Sequence, residues 1–137
     1  MTVTRTSASG SARSLISPVK TRTSIWSSQT LTAAAADVTS SVYSLAAGFR
    51  GGVHLRIENG ATGPTVAATV EVWGSYVSAG TLPVLLSSVD GSTANDGVVT
   101  AEVPLDDGVI SVYLVAGGNT GQNVTVKADM VSVAPLG

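Results

Sequence analysis

Residues Val53–Trp73 read VHLRIENGATGPTVAATVEVW, and their pattern decides the fold class. Val53, Leu55 and Ile57 alternate with His54, Arg56 and Glu58, the period of two of a half-buried strand. Asn59-Gly60-Ala61-Thr62-Gly63-Pro64 is turn chemistry, because glycine tolerates positive φ and proline fixes its own. Val66, Ala68, Val70 and Val72 resume the alternation, with Thr65, Thr69 and Glu71 on the other side. The expectation is a β-hairpin whose outer face carries His54, Arg56, Glu58, Glu71 and Trp73.

The same pattern recurs on either side. Ile25-Trp26 and Gln29–Thr32 form an expected first strand. Ala33–Ala36 has helix propensity, but four alanines cannot nucleate a helix alone, so a loop or a single turn is expected. Val38–Leu45 alternates as a strand that ends near Gly48 and Gly51-Gly52. Beyond Trp73 the strand is expected to continue to Val77, with Gly74 as a bulge and Ser78-Ala79-Gly80 as a turn. Pro83 lacks a ladder donor, which places Leu82–Leu86 at a strand start or sheet edge. Asp90–Gly97 is a loop, and Val98–Leu105 is a strand broken late by Pro104. Val109–Ala116 is apolar on both faces, so a central strand covered on two sides is expected. Gly117–Asn123 reads as a hairpin loop, followed by the alternating Val124–Met130. Seven or eight short strands without a convincing helix give an all-β fold. The expected form is an antiparallel β-sandwich, jelly-roll-like or Ig-like, with a closed barrel as the alternative.

Composition narrows the class. The 137 residues suit one domain. Hydrophobic residues make up 44% and charged residues only 12%, against roughly 25% charged in an ordinary soluble domain. Much of the surface is therefore neutral, which suits a chain packed among copies of itself or on a larger surface. There is no cysteine, so disulfides, thiolate nucleophiles and cysteine zinc sites are excluded. No apolar run reaches the ~20 residues of a membrane helix, and no signal-like apolar core opens the chain.

Charge is unevenly placed. Residues 1–24 are rich in Ser and Thr and hold Arg5, Arg13, Lys20 and Arg22 with no acid, while three bases and nine acids follow. The first segment is thus +4 and the remainder −6. A segment of one charge sign with little apolar content reads as a flexible arm, disordered alone and ordered only against an acidic partner or a neighbouring copy. The β-sandwich domain is assigned to residues 25–137.

Nothing in the chain assembles a recognisable active site. His54 is the single histidine and alternates with Leu55 on a strand, with no G-x-S-x-G elbow elsewhere; an interface contact that titrates near neutrality is the reading it supports. Asp90–Asp96 lacks the order of an EF-hand, and its aspartates read as turn formers. Gly117–Gly121 lacks the Lys-Ser/Thr ending of a phosphate loop and precedes a strand. The aromatics are dispersed and the body is acidic, which argues against specific nucleic-acid binding. No enzyme, cofactor or metal is expected.

Two segments carry a resemblance. Ile57–Ala67 (IENGATGPTVA) and Val115–Val126 (VAGGNTGQNVTV) resemble small structural proteins of tailed-bacteriophage morphogenesis regions, over roughly residues 25–133. The resemblance implies a β-sandwich virion component assembled in the host cytoplasm, with no active site. Its most fitting role is a capsid decoration, or cement, protein that oligomerises, with a trimer expected, and binds the major capsid protein. A tail, neck or baseplate ring component is one alternative; a host-surface or carbohydrate-binding adhesion module is another. The expected contact residues are Arg5, Arg13, Lys20, Arg22, Trp26, His54, Arg56, Glu71, Trp73, Asn59, Pro64 and Asn119.

Overall fold

The computed structural model describes residues 20–45, 50–106 and 108–133. Its strands are β1 (Lys20–Leu31), β2 (Val38–Thr39), β3 (Tyr43–Ser44), β4 (Arg50–Asn59), β5 (Thr69–Ser75), β6 (Val84–Asp90), β7 (Val98–Leu105), β8 (Ser111–Gly117) and β9 (Val124–Val133). They form two antiparallel sheets. The first runs β1-β9-β4-β7, and the second runs β2-β8-β5-β6, with β3 also on β8. Taking β2 and β3 as two halves of one edge position, the order is that of a jelly roll, the double-sheet fold of viral capsid and lectin domains. The all-β sandwich is therefore formed, in its jelly-roll rather than its Ig-like version.

The opening stretch departs from expectation in one respect. β4 and β5 do not form a hairpin: β4 pairs with β7 and β9, whereas β5 pairs with β6 and β8. The two strands face each other across the core, and residues 60–68 carry the chain from one sheet to the other. Alternation specifies which side chains point inward, and both arrangements satisfy it equally. Gly117–Asn123 likewise joins β8 to β9 across the sheets instead of turning a hairpin. The hairpin that does form is β5–β6, closed by residues 76–83.

Other boundaries move. β1 begins at Lys20 rather than at Ile25, so Lys20 and Arg22 belong to the sheet and pair with Val133 and Val131. Val38–Leu45 is two short bridges on β8, not one strand. Ala33–Ala36 makes a turn, with Ala34 at φ 58. The register shift of the β5–β6 ladder leaves Leu86 unpaired, so the extra residue lies on β6 and not at Gly74. A Cβ at Gly74 would sit 2.7 Å from Leu86 Cδ1, so that side chain would have to shift to admit one. β6 and β7 are edge strands; the edge expected from Pro83 is β6, while β7 runs through Pro104 instead of being broken by it.

Inward residues of both sheets make one aliphatic core. Val53, Leu55 and Ile57 of β4 and Val124, Val126, Ala128 and Met130 of β9 oppose Val70 and Val72 of β5 and Val112, Leu114 and Ala116 of β8. Burying each such valine or leucine contributes about 1.5–3 kcal/mol. β8 is central in its sheet but covered on one face only, because Tyr113 and Val115 are half-buried on the outside.

Candidate interaction surface

The jelly roll has two outer faces and two ends, and the expected contact residues are spread over them. On the outer face of the first sheet, Ser24, Asp129, His54 and Glu102 form one cross-strand row, and Lys127, Arg56 and Thr100 form the next. Arg22 Nη2 lies 2.5 Å from Asp129 Oδ2, His54 Nε2 3.2 Å from Glu102 Oε2, and Lys127 Nζ 3.5 Å from Glu58 Oε2. Arg56 Nε also donates to Glu58. That hydrogen bond is the main cause holding the Glu58 carboxyl below its usual range; desolvation opposes it and Lys127 adds to it. Trp26 is half-buried and borders a groove of about 350 Å³ with Arg22, Lys127 and Asp129. This face is charged but internally matched. Its ion pairs are exposed, so each contributes little to stability.

Glu71 and Trp73 lie on the opposite face of the molecule, because β5 belongs to the second sheet. They do not share a surface with His54, Arg56 and Glu58, as the hairpin would have required. Trp73 Nε1 donates to Glu71 Oε1 at 3.1 Å. Trp73 is directly opposite Tyr113 of β8, with ring centroids 6.4 Å apart and planes within 7°. A groove of about 330 Å³ lies alongside, lined by Asp37, Thr69, Glu71 and Val115 among others.

Asn59, Pro64 and Asn119 are structural in their placement. Asn59 Nδ2 donates to the carbonyls of Ser92 and Ala94 at 2.7 and 2.8 Å. Pro64 is buried. Asn119 is buried and donates to Leu31 O and Gln122 O. They sit at the end formed by residues 32–37, 60–68, 91–97 and 118–123. Further bonds brace these loops, including Thr65 N to Thr120 O, Asp96 N to Gly60 O, and Ala34 N to Asn119 O. Arg5 and Arg13 lie outside the described residues.

The other end has a different character. It gathers residues 76–83, Asp106 and residues 108–110, and the strand ends at Lys20 and Val133 also open onto it. Tyr76, Val77, Leu82, Val84 and Leu85 are exposed there, with Val42 close to Gly80. Residues 75–89 contain no charged side chain. The loop is nevertheless firmly held. Ser75 Oγ, buried, lies 2.6 Å from both the Ser78 and Thr81 carbonyl oxygens, and Gly80 N donates to the buried Ser111 Oγ at 3.0 Å. Tyr76 OH reaches Asp106 at 3.3 Å on the rim; desolvation first, and then Asp106, push the phenol above its usual range. The sequence placed Leu82–Leu86 at a strand start or sheet edge but did not mark this end as exposed and apolar. The signal was the charge-free run from Ser75 to Val89.

Among the described residues, no cluster of three or more acids and histidines is placed to hold a metal ion. No helix among them is long and apolar enough to cross a membrane.

No protein-family model matches the chain, and no curated protein sequence matches it. Solved structures resemble it in fold. A structure of Bacillus endospore appendages, disulfide-linked pili, aligns with a TM-score of 0.51 at 15% identity, covering 94% of this chain and 98% of that one. The K3 cleaved adhesin domain of Lys-gingipain from Porphyromonas gingivalis W83 aligns at 0.48 and 14% identity, covering 72% and 63%. This chain therefore matches less than two thirds of that adhesin domain's length. The structure of infectious bursal disease virus Gx strain aligns at 0.47 and 13% identity, covering 86% of this chain and 32% of the viral one. At these identities the likeness is one of fold: the chain is a double-sheet β domain similar in architecture to the endospore appendage pilus.

Proposed function

We propose that this chain is a non-catalytic structural component of a tailed-bacteriophage particle, a decoration protein that binds the head shell as an oligomer and stabilises it. The observation that carries the reading is the apolar end. A loop fixed by two buried serines presents Val77 and Leu82 at 63% and 76% exposure, within a segment that has no charge. Exposed apolar surface of this kind marks an interaction site, and its rigidity lowers the ordering cost of contact. Copies bound across capsomer contacts raise the stability of the bound shell by mass action. The pilus likeness supports the reading only so far as this fold can serve as a building block. With no cysteine, assembly here is held without disulfides.

The test is co-sedimentation with purified expanded capsids that lack decoration. Saturable binding is expected. A discrete ring by native mass spectrometry, with no shell binding, would move the protein to the neck, tail or baseplate.

A second reading, host-surface glycan adhesion, is favoured by the Trp73–Tyr113 stack beside a groove bearing Asp37 and Glu71. Aromatic faces and carboxylate acceptors suit sugar rings and hydroxyls, and lectins also use jelly rolls. Glycan-array binding lost in Trp73→Ala would select it over the shell.

A further inference from the structure

We propose that the occupant of the apolar end is a second copy of this chain, and that Val42, Tyr76, Val77, Leu82, Val84 and Leu85 form a self-complementary contact between protomers. The proposal rests on the assembly reading only in taking this end as a contact surface; it does not require the shell.

Charge favours a copy over a charged partner. A contact about a symmetry axis places a surface against itself, so any charge near the axis meets its like. Residues 75–89 carry none. The outer face of the first sheet, by contrast, carries Arg22, Arg56, Lys127, Glu58, Glu102 and Asp129. Among the described residues, the acid at the apolar rim, Asp106, is engaged by Tyr76, and Lys20 and Arg50 stand at the strand ends beside Val133. A net charge of −2 over the whole chain leaves little long-range repulsion between copies.

Leu82 supplies the second argument. Its φ is 44, in the left-handed region that favours Gly, Asn and Asp. In the single chain this leucine has neither an easy backbone nor a buried side chain. Burial against a neighbouring protomer gives the residue type a physical reason at that position. Backbone strain of this sort concentrates at functional positions. The loop is also pre-organised by Ser75 and Ser111, so association orders few further groups.

Leu82→Asn separates fold from contact, because asparagine accepts the left-handed backbone. Sedimentation velocity of the full chain is expected to show self-association. The L82N variant should melt at the same temperature or higher, yet raise the dissociation constant about tenfold or more. Val77→Asp, also at an exposed position, should do the same to the dissociation constant. Since the chain has no cysteine, Ala79→Cys at the loop tip should form covalent dimers on oxidation. Ser28→Cys on exposed β1 should not.

Three results would overturn the proposal: a native chain that sediments as a monomer at every soluble concentration, an unchanged dissociation constant in both L82N and V77D, or equal cross-linking of A79C and S28C. Shell binding by the same variants separates this proposal from the shell reading. Self-association kept in L82N while shell binding is lost overturns the self-contact and leaves the shell reading standing. Self-association lost in L82N, in a native chain that never binds shells, supports the self-contact and overturns the shell reading.

Discussion

The side-chain amide of Asn119 donates to the main-chain carbonyl of Leu31 at 3.0 Å, tying the loop before β9 to the end of β1. The same amide donates to Gln122 O at 2.9 Å, and the Asn119 carbonyl accepts from Ala34 N. One buried residue thus joins two loops at the braced end. Asn119→Ala leaves two carbonyls unpaired, at about 1–3 kcal/mol for each buried group without a partner. A loss of about 2–3 kcal/mol by urea denaturation is expected, reduced where water reaches the freed carbonyls. Asn119→Asp should be worse at neutral pH, since it removes both donors and buries a charge.

Gly51 makes a sharper steric prediction. A Cβ there would collide with the Val131 carbonyl oxygen, a backbone atom of the paired strand that cannot rotate away. Gly51→Ala should destabilise by about 1–3 kcal/mol, the range for overpacking. At Gly60 a Cβ meets nothing within 4 Å, so Gly60→Ala should change stability by about 0.5 kcal/mol or less. Thermal melts of the pair distinguish a steric requirement from a general dislike of substituting glycine.

What the sequence showed, and what it hid, follows from the range of each interaction. Alternation in Val53–Ile57 and Ala68–Val72 identified the inward residues correctly, while Val66 is exposed, and Pro83 marked the β6 edge. Strand partners were not legible, because a hairpin and a sheet-to-sheet crossing bury the same side chains. Asn59 and Asn119 looked like contact residues in shaped loops. Their hydrogen-bond partners Ser92 and Leu31 lie 33 and 88 positions away, beyond any local pattern. The exposed apolar end was visible only as a stretch without charge.

Glu58 sets an acid-side dependence. Its carboxyl titrates below its ordinary value of 4.5, chiefly through the Arg56 hydrogen bond. A depressed folded-state value means the contribution is present above the unfolded value and is lost as pH falls through the folded one. Melting temperature measured from pH 6 downward should therefore fall less steeply in Glu58→Gln than in the native chain. The difference should shrink in high salt, because the group is near solvent.

The basic residues ahead of β1 predict an effect on binding without one on folding. Arg5 and Arg13 belong to a segment with no acid, suited to an acidic partner surface. The double variant Arg5→Ala/Arg13→Ala should bind shells more weakly and with a flatter salt dependence, at an unchanged melting temperature. Unchanged affinity would remove the arm from the account.

The most direct test of the assembly account is electron microscopy of expanded, undecorated capsids incubated with the full chain. The account predicts added density on the outer surface of the head, at capsomer contacts, with the ends bearing Leu82 converging between neighbouring copies. Density confined to the neck or tail, or none at all, would contradict it.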